Sequence, residues 1–462
     1  MDSPISPASA RIPPFLTGDG PAGRVLAFAA SVLLLLSAAA LNGYPLLFPD
    51  SGNYMALSIV AEELPYRTLV YAALMTVLGA QWTLWGVVLF QALCIAWLLD
   101  QTVALLVPCR RALWLVGLTA GLTLLSGLPW YVGQIMPDVF SGALVLSAGL
   151  LLAYGERLPP WRRIVLAAIL ALGTAIHASH LPVSLALVLA AIVLVRLARL
   201  PARRLAPPVA ALVAGTLAIP AVHYLETGRA YMHKGGEIFL FARLVEDGIV
   251  ARYLNERCPL PDTVLCAFKD QLPSTHNGYL WDDTQAFEMA GGWEQSGPES
   301  RRIILQTLLH YPGMHAITAL RSFGRQLVMV RTGDYLRSSF RHNAVIVEIM
   351  LPWEAGAYHG ALQQRLELQF FDQLNWFQVP VALAACLGLV WLAIRRWRGD
   401  RPAALFCLML LAGLLANALA CGTLSNPQDR YQNRVVWIAV LAVAALAGPP
   451  AIAALRRQKS AE

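Results

Sequence analysis

The chain has 462 residues, 57% of them hydrophobic and 14% charged, with a formal net charge of +7 and a mean hydropathy of +0.55. A soluble protein could not bury that apolar load, whereas repeated runs of about twenty apolar residues are what a hydrocarbon layer about 30 Å thick selects, so the composition predicts an all-α polytopic membrane protein. The basic balance does not point to nucleic acid, because the arginines sit in short clusters between apolar runs and no zinc-finger spacing or extended basic tract accompanies them.

The opening 1–23 is rich in Pro and Ser and lacks the basic start of a signal peptide, so the first apolar run is expected to be retained as a span behind a cytoplasmic tail. Spans are then expected at 24–41, 82–106, 113–128, 139–154, 164–176, 181–197 and 209–225, and again at 379–394, 403–421 and 435–447, the last stopping near Pro449 and Pro450. This makes about ten transmembrane helices, in a core at 24–225 and a C-terminal set at 376–453, with a tail at 454–462. Arg110 and Arg111, Arg157, Arg162 and Arg163, Arg196, Arg199, Arg203 and Arg204, the run RRWRGDR and the closing RRQK all fall on one side of that layout. By the positive-inside rule this side and both termini are cytoplasmic, which points to a multi-pass protein of a bacterial inner membrane whose remaining connections face the periplasm.

The first outward connection, 42–80, carries an acid at Asp50 in FPDSGNY and a base at Arg67 in PYRTLVY; its second half, 69–78, is too short to cross and is expected to lie on the outer face as an interface helix. Asp50 reads either as a helix N-cap or as a general base that takes a proton from an acceptor, and Asp138, in IMPDVFSG, carries the same two readings. His177 and His180, in AIHASHLP, share a face if one helix runs through both, and suit phosphate binding, proton transfer, a metal or polar helix-end packing. A large outer region, 226–375, follows. In it Cys258 and Cys266 are expected to pair as a disulfide in an oxidising compartment, while Cys94, Cys386 and Cys407 lie in apolar runs as packing residues. Trp281, Asp282 and Asp283, with His276 and Glu288 nearby, would suit a cation or a sugar face stacked on the indole, or solvent-facing filler. From Thr307 to Arg341 a basic periodic stretch reads as amphipathic helix along the lipid headgroups. Arg67, Arg325, Arg331 and Arg430 are the guanidiniums available to neutralise a phosphate. No glycine-rich phosphate loop, zinc-protease HExxH or serine-hydrolase GxSxG occurs, so hydrolytic and ATP-driven chemistry lacks a motif.

In FPDSGNYMALS, PYRTLVYAALMTVLG, IMPDVFSGAL and DRYQNR the chain resembles the GT-C superfamily of polytopic glycosyltransferases, and more loosely its branch of protein O-mannosyltransferases and lipid A aminoarabinose transferases. The resemblance covers roughly the first 200 residues by pattern and the rest by topology. It implies an inverting glycosyltransferase at the periplasmic face. The donor would be a polyprenyl-phosphate sugar and the acceptor a lipid, a glycan or a protein. Asp50 and Asp138 would be the catalytic acids, with Arg430 and Tyr431 near the donor phosphate. No cofactor is expected beyond the lipid-linked sugar donor, a divalent metal is left open because the acidic motif is less clear than in metal-dependent members, and membrane lipids are the surrounding partner. The alternatives are a transporter or flippase of lipid-linked material, for which critical polar groups at the membrane midplane are expected, and an envelope assembly protein.

Overall fold

A computed structural model of the chain describes residues 20–60, 66–108, 110–233, 235–282 and 284–459. Among these residues the protein is all helical apart from one isolated bridge between Leu46 and Gln134. Ten helices form a bundle: α1 (Pro21–Asn42), α2 (Trp85–Leu106), α3 (Arg111–Leu125), α4 (Val139–Tyr154), α5 (Pro160–Ile176), α6 (His180–Leu197), α7 (Ala206–Thr227), α8 (Phe371–Arg396), α9 (Arg401–Leu424) and α10 (Asp429–Lys459). Eight of them are long and apolar enough to cross a membrane; α4 reaches that length through a 3-10 turn ending at Arg157. The other two, α3 with 15 residues and α5 with 17, are shorter. The protein is therefore a polytopic membrane protein. The helix α10 does not stop at Pro449 and Pro450 but continues to Lys459.

Proline starts and glycine stops set the ends of these helices. Pro21 and Pro160 stand at the first turns of α1 and α5, where the missing N–H costs nothing. Gly43 closes α1 in the left-handed region (φ 82°), its N–H capping the carbonyl of Ala40. The axis of the bundle is α4, all of whose residues are buried. A helix with no exposed face needs neighbours that approach closely, and small residues permit this. At Gly142 a β-carbon would overlap the Trp437 indole of α10.

The site lies at one end of the bundle. Two short helices, Ser51–Leu57 and Val70–Val77, follow α1 there. The turn holding Asp50 is pinned from several directions. Leu46 exchanges hydrogen bonds with Gly133 (2.8 Å) and Ile135 (2.9 Å), and Ser51 Oγ donates to the Ile135 carbonyl (2.8 Å). Asn343 donates to the Phe48 carbonyl and accepts from Gly52 N–H, both at 2.9 Å, while the Gln363 amide brackets Leu47. Residues about 290 positions away in sequence thus set where Asp50 points.

Between α7 and α8 lies a lobe with its own core, in which Phe241, Leu254, Tyr279, Phe287 and Ile303 are buried. The disulfide Cys258–Cys266 forms within it. The buried Arg243 docks the lobe on the end of α9, donating to the carbonyls of Gly422 and Thr318 and pairing with Asp247. The basic stretch expected as continuous helix from Thr307 to Arg341 is interrupted. One helix ends at His310, Pro312 starts the next, which ends at Val328, and the third begins only at Arg341. Pro312 cannot extend the preceding helix because it lacks an N–H and its ring clashes one turn back.

Candidate functional site

A cavity of about 790 Å³ opens between this end of the bundle and the lobe. Asp50, Arg67, His177, Arg430 and Tyr431 line it, drawn from three separate connections of the chain. The other residues proposed as catalytic or phosphate-binding, Asp138, His180, Arg325 and Arg331, do not line it. Asp138 and His180 are buried beneath it, each about 1% exposed. Arg331 is exposed and paired with Asp372 at 2.6 Å, and Arg325 lies on an exposed face of the Pro312–Val328 helix.

Asp50 stands at the N-cap position of Ser51–Leu57, yet its side chain caps nothing. Instead Oδ1 meets Arg67 Nη2 at 2.5 Å, and Oδ2 stands 3.9 Å from Arg430 Nη1. Asp50 remains 21% exposed, whereas Arg67 is buried against the rings of Tyr54 (5.2 Å) and Tyr66 (5.3 Å). Burial works against the Arg67 charge, but the Asp50 carboxylate outweighs it and the guanidinium is held above its ordinary pKa.

Asp138 also occupies an N-cap without capping. Its Oδ1 accepts from Arg434 Nη1 at 3.1 Å and lies 3.8 Å from Arg430 Nε. Burial pushes this carboxyl up, but Arg430 and Arg434 prevail and hold it below the usual carboxylate range. A carboxylate so placed anchors the arginines of α10; it has no path to a substrate proton.

Arg430 is the under-satisfied member. Its nearest carboxylate oxygens stand at 3.8 and 3.9 Å, beyond hydrogen-bond range, and its Nε has no hydrogen-bond partner. One face of its guanidinium lies 4.0 Å from the Phe48 ring. On its far side Asp334 accepts only from the Arg430 backbone N–H (3.4 Å), and burial pushes the Asp334 carboxyl up, against carrying a charge. A buried cation without close hydrogen-bond partners, on a cavity wall, is matched by an anionic ligand.

The histidines differ from their expected arrangement. No single helix runs through them: α5 ends at Ile176 and α6 begins at His180. His180 Nδ1–H donates to the Gly173 carbonyl (2.7 Å) and Nε2 accepts from Ser141 Oγ (2.6 Å), so both nitrogens are spent latching α4, α5 and α6. His177 has one nitrogen left. The Ser179 backbone N–H points at Nδ1 (3.2 Å) and the Ser179 hydroxyl lies 2.8 Å from it, so Nδ1 accepts and the ring proton resides on Nε2. Ser179 Oγ is itself oriented by accepting from Arg434 Nη2 (3.1 Å). Burial, then His180 and the nearby arginines, depress the His177 pKa well below its usual value. His177 is therefore a neutral N–H donor on the cavity wall.

Comparison with family models, with curated proteins and with solved structures finds no match to this chain. Assignment of function therefore rests on the site itself.

Sequence reasoning undervalued Arg434, which is fully buried, and missed Tyr54, Tyr66 and Phe48, which flank the guanidiniums. The signal for Arg434 was present: Arg430 and Arg434 are one helical turn apart at the start of an apolar helix, on the face that meets Asp138. The rings gave no signal, because aromatic residues at a membrane boundary are common. Among the described residues no cluster of three His, Cys, Asp or Glu could hold a metal; Asp283 lies outside them. Trp281, Asp282 and His276 do line the cavity.

Proposed function

We propose that the protein is a membrane glycosyltransferase that moves a sugar from a polyprenyl-phosphate donor to an acceptor at the outer face of the membrane. The carrying observation is a partly exposed carboxylate, Asp50, set on the cavity wall between two buried guanidiniums of which Arg430 has no close hydrogen-bond partner. Anionic phosphate supplies what Arg430 lacks. The apolar wall at Pro182, Ala420 and Leu424, at the ends of α6 and α9, suits a lipid chain.

Sidedness follows from charge. Both short helices α3 and α5 join connections at the site end to connections at the other, so counting them gives ten crossings of a GT-C-like core. The arginine clusters at 110–111, 157–163, 196–204 and 395–401 fall at the opposite end from the cavity. The positive-inside rule then puts that end and both termini in the cytoplasm and the cavity outside, in the periplasm of a bacterial inner membrane.

In the proposed reaction an acceptor hydroxyl donates a hydrogen bond to Asp50 and attacks the anomeric carbon. The new C–O bond forms as the bond from that carbon to the phosphate oxygen breaks. The electron pair leaves with the lipid phosphate, whose charge grows by one, and the acceptor proton passes to Asp50. Arg67, Arg430 and the Nε2–H of His177 stabilise the growing phosphate charge, where each such donor is worth about 10²- to 10³-fold in rate. One displacement inverts the anomeric centre and needs no second carboxylate as nucleophile. Purified protein in lipid vesicles, offered radiolabelled polyprenyl-phosphate sugars and membrane acceptors, should release polyprenyl phosphate and form product of inverted configuration. Absence of lipid-phosphate binding, or turnover undiminished in Asp50→Asn, would sink this reading.

A further inference from the structure

The cavity has a second end whose chemistry the phosphate and the carboxylate leave unused. Trp281 and Asp282 close the His276–Trp281 helix of the lobe and face the cavity, together with Asn277 and Tyr66. Trp281 is held on two sides, by Trp293 (ring centroids 5.1 Å apart, tilted 37°) and edge-on by Tyr66 (5.8 Å, 81°). Tyr66 in turn lies 4.5 Å from Trp293. An indole fixed this way and still 45% exposed is a rigid platform whose remaining face is free for a ligand.

The polar groups beside it are acceptors and amides rather than cations. Asp282 is exposed on the cavity wall. The Asn277 carbonyl oxygen faces His276 Nδ1 (3.2 Å), leaving its amide N–H groups with one long bond to the Tyr335 hydroxyl (3.4 Å). His233 and His276 also line this end, and burial depresses the pKa of both, so neither adds a charge. An aromatic face beside a carboxylate and an amide matches a ring carrying vicinal hydroxyls, and offers nothing to a second phosphate.

Position along the cavity distinguishes donor from acceptor. Tyr66 follows Arg67 in space, with 5.3 Å from the guanidinium carbon to its ring, and Trp281 follows Tyr66. The lipid chain leaves the phosphate on the membrane side, so the donor sugar projects away from the membrane, and an in-line attack brings the acceptor from beyond it. That is the side on which Trp281 stands.

We propose that this end of the cavity is the acceptor subsite and that the acceptor is a saccharide, its ring stacked on Trp281 and its hydroxyls held by Asp282 and Asn277. The proposal rests on the transferase reading and narrows it to glycan acceptors.

The test uses the full chain in lipid nanodiscs and two separate binding measurements. Neutral di- and trisaccharides are titrated by calorimetry and indole fluorescence, and polyprenyl phosphate is titrated in parallel. Trp281→Ala should weaken saccharide binding at least tenfold and leave polyprenyl phosphate within twofold of wild type; Trp281→Phe should recover part of the loss, and Asp282→Asn should weaken saccharide binding alone. Arg430→Lys should do the reverse. A wild-type protein that binds no saccharide of the panel overturns the subsite, as does a Trp281→Ala protein that binds saccharide normally, loses lipid phosphate equally, or responds instead to a peptide acceptor. Failure of wild type to bind polyprenyl phosphate overturns the transferase reading by itself, whatever the saccharide result.

Discussion

Asp50 and Asp138 carry the same signature in the sequence, an acid at the start of a helix, and the fold gives them opposite surroundings. Asp50 is 21% exposed, touches Arg67, and keeps one oxygen facing the cavity; Asp138 is buried and serves two guanidiniums of α10. Neither caps its helix. The difference comes from what packs on top: the Asp50 turn sits at the cavity wall, while the Asp138 turn is covered by α10. A carboxylate can exchange a proton with substrate only where solvent or substrate reaches it, and a buried one is worth most as a counter-charge.

The pair can be separated by experiment. Asp50→Asn keeps shape and still offers Arg67 an amide oxygen, and should lower transfer by roughly 10²- to 10⁴-fold, the usual share of a general base, with a smaller fall in melting temperature than the loss of Asp138 causes. Asp138→Ala should do the opposite first. It strands Arg434, which has no exposure, and removal of one partner of a buried pair costs roughly 3–5 kcal/mol, read as a large fall in melting temperature in detergent. If Asp138→Ala melts like wild type while losing transfer, the contrast between the two acids collapses. Arg430→Lys retains the charge but loses the planar fork, and polyprenyl-phosphate affinity should drop about tenfold or more.

A milder effect is expected from pH. His276 is buried, His177 and His233 are partly buried, and all three have pKa values below the ordinary one, so the unfolded chain takes up protons that the folded chain refuses. Their contribution is fully present above about pH 6.5 and is lost as pH falls toward the depressed folded values; Asp138, also depressed, adds a further loss below about pH 4. Thermal melting should therefore be level from pH 7 to 9 and decline on the acid side, and lipid-phosphate binding should show no step near pH 6.5, since His177 is a donor that does not titrate there. A step at that pH that disappears in His177→Asn would overturn the neutral state assigned to it. The smallest effect should come from Arg331→Ala. Arg331 and Asp372 are both more than half exposed, and solvent screens such a pair, so both stability and lipid-phosphate affinity should stay near wild type.

The membrane class and most helix positions were legible in the sequence because they depend on local quantities: runs of apolar side chains, with proline and glycine at the ends. The candidate site was legible in part. Asp50, Arg67 and Arg430 were singled out from short motifs and do converge on one cavity, while Arg325 and Arg331, equally basic in sequence, lie outside it. Nothing local distinguishes those arginines. Likewise the break between His177 and His180 depends on the Ser179 turn, and the helix through Pro449 and Pro450 shows that proline punctuation is not absolute. What only the tertiary structure decided is which charges meet. Arg430 is 380 positions from Asp50 in sequence and 3.9 Å from it in space, and that encounter is set by the packing of α10 against the connections after α1 and α3, not by any window of the chain. Hydrophobic pattern is a property of neighbours in sequence; electrostatic role is a property of neighbours in space.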